Sequence, residues 1–248
     1  MPRAFAATLP GRLRRRAKAA AFRAYQPVAL RLIAGDRTSR VQGLRLSVPA
    51  GVFHPGLFCS TRALCAELTR LPLGGRRVLD LGCGSGAVGL VAARRGAHVT
   101  AVDLNPAAAA AARANAAAND LTVEVLESDL FDALGGRRFD LVAVNPPYYR
   151  GEPADAAGAA WHAGAGLEWF DRFFAGLTSH VAAPPATHLG SAGLAPPPGL
   201  PAGLMVLSED CDLAAIEGHA AAHGWRLTLR ARRLAWFEAS LVFDLVQR

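Results

Sequence analysis

The chain lacks the cysteine arrangements that build a metal centre or a disulfide framework. Its four cysteines, at 59, 65, 83 and 211, include no C-x-x-C pair. Neither a zinc site nor a set of cross-links is indicated, and reduced thiols in a cytoplasmic protein are the expectation. His219 and His223 stand four residues apart on a predicted helix, but no H-E-x-x-H motif or third ligand accompanies them. They read as surface residues, and no metal is expected. Long apolar runs are missing too. The hydrophobic fraction of 52% is inflated by alanine, and no stretch approaches the roughly 20 residues of a membrane span. A soluble protein without a membrane partner is expected, and 248 residues suffice for one large α/β core with an appendage.

Acidic residues are absent before Ile33, whereas Arg3, Arg12, Arg14, Arg15, Arg16, Lys18, Arg23 and Arg31 all fall there. The rest of the chain holds 19 basic against 20 acidic residues, so the positive excess belongs to an N-terminal arm, residues 1–40, and not to the domain expected over 41–248. An Arg-rich, Ala-rich, acid-free start is also similar to an organellar transit peptide. Leu13, Ala17, Ala20, Ala21, Ala24 and Val28 recur at roughly helical spacing, which favours a basic helix. Such an arm can neutralise phosphates of nucleic acid or of a ribosome, or simply pack on the domain. Residues 182–202, rich in Pro, Ala and Gly, read as an exposed, mobile insertion to which no chemistry is assigned.

The most specific segment is 140–149, DLVAVNPPYY, an apolar strand ending in Asn145-Pro146-Pro147-Tyr148. Two prolines fix φ near −65° and supply no N–H, so this corner presents acceptors: the Asn145 side-chain oxygen and the Pro146 carbonyl. Acceptors in a stiff turn suit methylation of a planar amide or amino nitrogen, whose lone pair is delocalised and whose N–H groups must be held while it pyramidalises. Tyr148, with Tyr149 beside it, offers a π face to the flat substrate and to the developing cation. Taken alone, a Pro-rich turn closing a strand is the ordinary alternative. The polar, Gly/Ala-rich loop over 150–166 that follows contains Trp161 and His162. Trp161 is placed either to stack on the target beneath a closing loop or to anchor the core. His162 stands where a released proton could be taken up, although this chemistry needs no dedicated base.

Residues 78–90, VLDLGCGSGAVGL, form a strand, a Gly-rich turn and a helix, with a literal G-x-G-x-x-G at Gly84, Gly86 and Gly89. That fingerprint raises a dinucleotide-binding module as the non-enzymatic alternative. Asp80 argues against a pyrophosphate, because its carboxylate at the strand end repels one and attracts a ligand carrying an ammonium and a sulfonium. S-adenosylmethionine is such a ligand, and Gly82, Gly84 and Gly86 let the backbone approach it closely. A second strand over 98–103 ends in Asp103, placed to accept ribose hydroxyls, with Leu104 next to it. A third, over 121–126, leads to Asp129 and Leu130, where the acid can accept an adenine amino group while Leu130 packs on the ring. Capping a turn is the other role open to Asp129.

The series D-L-G-C-G-S-G, V-D-L-N-P, S-D-L-F and N-P-P-Y, in this order, resembles the class I S-adenosylmethionine-dependent methyltransferases. More narrowly, it is similar to the branch holding the HemK-like glutamine enzymes, the RsmC-type small-domain enzymes and the amino-adenine enzymes acting on nucleic acid. The resemblance covers roughly residues 50–170. It implies that Pro55 and Thr61, in the segment before the first predicted helix, help close the cofactor site. It also makes 163–170, AGAGLEWF, the counterpart of a G-G-x-D-G-L stretch. The Asp of that stretch is missing here. Protein glutamine is the first expectation for the substrate; a guanine or adenine amine in rRNA, tRNA or DNA, or a small-molecule amine or amide, stays open.

A β-rich stretch over 41–52, a helix over 106–118, later strands at 204–207, 225–231 and 240–246 and a helix over 213–223 complete the reading. Such alternation predicts a Rossmann-like, doubly wound, mostly parallel sheet with helices on both faces and ligands at the strands' carboxyl ends. By resemblance the sheet has seven strands, the last inserted antiparallel.

Overall fold

The computed structural model describes residues 35–56, 59–152, 160–182, 200–235 and 238–248. Residues 1–34 of the basic helical arm expected over 1–40, and most of the insertion expected over 182–202, lie outside the described residues. A small antiparallel hairpin, β1 (Arg37–Val41) and β2 (Leu44–Val48), precedes a seven-stranded sheet. That sheet comprises β3 (Arg77–Leu81), β4 (His98–Asp103), β5 (Glu124–Glu127), β6 (Leu141–Val144), β7 (Gly203–Ser208), β8 (Trp225–Ala235) and β9 (Glu238–Gln247). Their order is β5-β4-β3-β6-β7-β9-β8. The pairings from β5 through β7 are parallel, whereas β9 lies antiparallel to both β7 and β8. The expected sheet, with its antiparallel last strand, is therefore present.

Among the described residues five α-helices pack on it: α1 (Cys59–Leu68), α2 (Ala87–Arg94), α3 (Pro106–Ala118), α4 (Glu168–His180) and α5 (Leu213–Ala222). None among the described residues is long and apolar enough to cross a membrane. The central strands are buried on both faces, as all four residues of β6 show, and this gives them continuous rather than alternating apolar character. One core layer joins Val78, Leu64, Leu68, Leu90 and Val206. The other joins Leu79 and Leu81 to Phe170, Phe173, Phe174 and Leu177, which recur on α4 at the i, i+3, i+4, i+7 spacing of one helical face.

Local chemistry fixes the element ends. Asn105 caps α3 by accepting from Ala107 N–H at 3.0 Å, and Pro106 takes the first helical position, where its missing N–H costs nothing. The strand expected from residue 121 starts at Glu124 instead. The exit from α3 consumes the intervening residues: Asp120 adopts φ 55°, and Leu121 N–H returns to the Ala116 carbonyl at 3.0 Å.

The hairpin begins at Arg37, inside the segment assigned to the arm. Its Val41, Leu44, Leu46 and Val48 are buried in the core, so these residues pack as part of the folded unit. Two asparagines on α3 hold it there. Asn115 Oδ1 accepts from Ser47 N–H at 2.7 Å while its Nδ2 donates to the carbonyls of Ser47 and Ser85 at 2.8 and 2.9 Å. One helical turn later, Asn119 Oδ1 accepts from Arg45 N–H at 3.1 Å and Nδ2 donates to the Arg45 carbonyl at 2.7 Å. The two side-chain amides thus act as a further strand along the open edge of β2. Asn115→Ala should cost about 2–3 kcal/mol, because it leaves buried backbone groups unpaired. Asn119→Ala, whose bonds are exposed, should cost less than about 1 kcal/mol; equal urea midpoints for the two variants would contradict this account.

Candidate active site

The chain steps from β3 to β4 and β5 on one side of the sheet, then crosses to β6 on the other side of β3. Loops at the carboxyl ends of β3, β4 and β6 diverge at such a reversal and leave a crevice. A cleft of about 350 Å³ opens there. It is lined by Pro55, Thr61, Asp80, Gly82, Gly84, Asp103, Leu104, Asp129, Leu130, Asn145, Pro146, Pro147, Tyr148, Trp161 and His162. Segments far apart in sequence therefore converge as the motifs imply.

The turn after β3 is folded around acids. Asp103 Oδ2 accepts from Gly84 N–H at 2.7 Å, and Oδ1 accepts from Asn105 N–H at 2.9 Å. Asp80 Oδ2 accepts from Gly89 N–H in the first turn of α2 at 2.7 Å, a favourable place for a negative charge. Gly82 and Cys83 N–H both reach the Val102 carbonyl at 2.9 Å, and Gly86 N–H reaches the Cys83 carbonyl at 2.8 Å. The N–H groups of Gly82, Cys83, Gly84, Gly86 and Gly89 are thus engaged within the protein, and two carboxylates lie beside them. This arrangement disfavours a pyrophosphate.

The glycines divide into two groups. Gly82 and Gly84 have φ of 71° and 54°; a Cβ on Gly82 would meet nothing within 4 Å, and one on Gly84 would touch only Val52 Cγ1 at 4.0 Å. Both therefore leave ligand space free. Gly86 was expected to do the same but does not line the cleft. A Cβ there would sit 3.1 Å from Ala112 Cβ, so Gly86 serves the close approach of α2 to α3. Gly89 is required by packing as well, since its Cβ would come within 3.0 Å of Asp80 Oδ2 and 3.2 Å of Val99 Cγ1.

Asp129 lies on the cleft but its Oδ2 accepts from Arg172 of α4 at 2.8 Å. The turn-capping role falls to its neighbour, because Ser128 Oγ accepts from Ala133 N–H at 3.0 Å. Leu130 takes a left-handed backbone, φ 50°, an uncommon conformation for a bulky residue. Leu104 is 59% exposed, an apolar side chain left open on the cleft.

On the opposite wall, Asn145 follows β6 directly. Its Nδ2 donates to Thr61 Oγ1 at 3.2 Å, while its Oδ1 is buried without a hydrogen-bond partner. An unpaired buried acceptor is costly, and this is the atom the sequence marks for a substrate N–H. Thr61 thus holds the asparagine as well as lining the cleft. Tyr148 is largely buried, 7% exposed, and meets Tyr149 edge to face at 4.9 Å. Tyr149 does not line the cleft; its backbone instead pairs with Trp161 and Ala163, Tyr149 N–H reaching the Trp161 carbonyl at 3.0 Å and Ala163 N–H the Tyr149 carbonyl at 2.9 Å. That pairing returns Trp161 and His162 to the site, where Trp161 meets Phe53 with ring centroids 5.1 Å apart and His162 Nδ1 is buried without a partner. Residues 153–159 of the expected closing loop lie outside the described residues.

Phe53, Glu168 and Arg172 also line the cleft, and sequence patterning did not mark them. Arg172 is brought there by the packing of α4, which no local motif reports. His219 and His223, expected on the surface, both face Asp171, at 3.7 and 2.8 Å. No group of three metal-binding side chains occurs among the described residues.

Fold and site together have the arrangement of class I, S-adenosylmethionine-dependent methyltransferase domains. Residues 43–163 match the methyltransferase small domain family, in agreement with the motif resemblance. Ribosomal RNA small subunit methyltransferase C of Chromohalobacter salexigens is 41% identical over 117 residues, 46% of this chain and 34% of that protein. A putative protein N5-glutamine methyltransferase of Methanocaldococcus jannaschii is 30% identical over 109 residues, 44% and 53% of the respective chains. In fold, the chain is similar to the Thermus thermophilus 16S rRNA N2 G1207 methyltransferase solved with AdoMet and guanosine. The TM-score is 0.56 and the identity 23%, over 84% of this chain and 50% of that one. The chain spans about a third of the first of these relatives and half of the second.

The cleft fits the methyl donor on its own evidence: open space above Gly82 and Gly84, acids at Asp80 and Asp103, and the uncovered Leu104. Burial raises the Asp80 pKa to about 7; the Gly89 N–H opposes that shift and the Asp103 charge adds to it. The unfolded value is near 3.9, so between about pH 4 and 7 the native state binds more protons at Asp80 than the unfolded state. Asp80 therefore makes stability fall as pH rises through this window. Asp80→Asn should remove that slope, so its stability should improve relative to wild type from pH 4 to 7 in chemical denaturation; parallel profiles would contradict the raised pKa.

Proposed function

We propose that this protein methylates the exocyclic amine of a nucleic-acid base, with a guanine of ribosomal RNA as the best-supported target. The observation that carries this reading is Asn145: its Nδ2 is bound to Thr61 and its Oδ1 is buried, unpaired and on the cleft. When bound, S-adenosylmethionine supplies an electrophilic methyl group on a sulfonium, open to in-line displacement by a nitrogen lone pair. Asp80, Asp103, Leu104 and the Gly82–Gly84 turn would hold that donor, with Asp129, Leu130 and Pro55 bordering it.

Asn145 Oδ1 and the Pro146 carbonyl accept the amine's two N–H groups, and both contacts strengthen as the nitrogen gains positive charge. Such selective strengthening raises kcat. Thr61 fixes the asparagine amide in the acceptor orientation. Phe53 and Trp161 provide aromatic faces for a flat base, an interaction worth about 1–3 kcal/mol per stacked base. The proton leaves from the alkylated nitrogen, whose acidity has risen, so His162 is not needed as a base.

The rRNA relative at 41% identity supports a base over a glutamine side chain. The missing Asp of the HemK-like pattern points the same way. A ribosome or its RNA is then the expected partner. Asn145→Ala should retain S-adenosylhomocysteine affinity by calorimetry and lose roughly 10²–10³ in kcat, as for removal of one oriented group at a reaction centre. Near-normal turnover would remove Asn145 from the chemistry. Transfer of labelled methyl to an extract of unmethylated cells identifies the substrate: label released by RNase supports the reading, and label released only by protease supports glutamine instead.

A further inference from the structure

The overall charge balance of the domain conceals a local imbalance. Between Arg37 and Arg62 the sequence contains Arg37, Arg40, Arg45 and Arg62 and no Asp or Glu; Asp36 precedes it and Glu67 is the next acid. All four arginines are exposed. Arg40 lies directly opposite Arg45 in the hairpin register, a like-charge pair that costs stability in a sheet. Arg62 Nη2 donates to the Arg40 carbonyl at 3.3 Å, which draws a third guanidinium to the same place. Among the described residues, Arg40, Arg45 and Arg62 make no ion pair.

Three arginines of β8 are treated differently. On β8, Arg230 pairs with Asp244 at 2.5 Å, Arg232 with Glu209 at 2.7 Å and Arg233 with Glu67 at 2.6 Å. Those charges are spent within the fold. The charges of Arg40, Arg45 and Arg62 are held together without an ion pair among the described residues, and they adjoin the cleft. A Cβ on Gly56 would stand 2.6 Å from Ser39 Oγ of β1, so the loop carrying cleft residues Phe53 and Pro55 rests on this hairpin. Arg62 follows cleft residue Thr61 in α1. Burial, with the Arg37 and Arg62 charges adding to it, holds His54 below the usual imidazole range, as expected of a positive surface beside that loop.

We infer that Arg40, Arg45 and Arg62, with Arg37 beside them, form a phosphate-binding track that leads an RNA strand to the mouth of the cleft. The track would extend onto the domain the electrostatic role expected of the basic N-terminal segment, whose eight basic residues run directly into it in sequence. Contacts of this kind set position and affinity without reading base identity. The inference rests on the nucleic-acid reading of the site.

Fluorescence anisotropy of the full chain with a labelled RNA hairpin, across about 50–200 mM salt, tests it. The variant Arg40→Ala/Arg45→Ala/Arg62→Ala should bind about tenfold or more weakly, and its salt dependence should flatten by about two to three in log–log slope. Its S-adenosylhomocysteine affinity should not change. Should the triple variant misfold, single replacements at Arg45 and Arg62 should each shed about one in slope, whereas Arg232→Ala should shed none. RNA affinity and slope unchanged in the variants would overturn the track. If the wild-type chain still transfers methyl to RNA in that case, the reading of the active site stands; if it neither binds nor methylates RNA, both fall.

Discussion

The site depends on two carboxylates that fold the glycine turn from inside. Asp103 takes Gly84 N–H and Asp80 takes Gly89 N–H, so donors that would cradle a phosphate in a nucleotide-binding turn are used to pin acids in place. The same geometry then disfavours an anion and favours a cation, because two negative charges border the space that Gly82 and Gly84 leave open. Burial makes this costly: both pKa values are raised, Asp80 to about 7. A cationic ligand offsets that cost by favouring the ionised forms. Affinity for a sulfonium donor and strain in the ligand-free protein are two aspects of one arrangement.

The reacting end is built by long-range contact. Asn145 ends β6, but its amide is oriented by Thr61, 84 residues earlier, and the aromatic wall pairs Phe53 with Trp161. Phe53, Pro55 and Thr61 therefore serve both donor and acceptor sides. Their placement depends in turn on the hairpin beneath them and on the two asparagines that hold the hairpin to α3. Substrate choice belongs to these walls rather than to the N-P-P-Y turn, since the turn offers only acceptors to any planar N–H pair.

What could be read in advance follows from locality. Asp80, Asp103, Asn145 and the open glycines were legible because a strand end, a glycine with positive φ and a diproline corner are each set within a few residues of sequence. Nothing local marks Gly86 as lying off the cleft, because its neighbour, Ala112, belongs to another helix. Nor is Tyr149 so marked, because its backbone pairs with residues 161–163. Arg172 gave no signal, as its reach to Asp129 depends on how α4 lies on the sheet. The asparagine ladder along β2 was also illegible: R-A-N-A-A-A-N reads as ordinary helix surface until a bare strand edge is placed beside it.

Charge shows the same limit of one-dimensional reading. Counted along the chain, the domain is close to neutral, and the counting is correct. Neutrality of the sum does not say which charges cancel where. Three β8 arginines, Arg230, Arg232 and Arg233, are each matched to a carboxylate within 2.7 Å, and such pairs contribute little field beyond their own dimensions. Arg40, Arg45 and Arg62 lack such partners among the described residues, and the acids that balance them in the count are placed elsewhere, two of them at the floor of the cleft. The resulting surface is bipolar at short range. Acids sit where a cationic methyl donor is to be bound, and guanidinium groups stand at the rim where a polyanion would pass. A substrate carrying phosphates can approach this cleft only if the rim offsets the repulsion of its floor, which gives the uncompensated arginines of the hairpin a physical purpose.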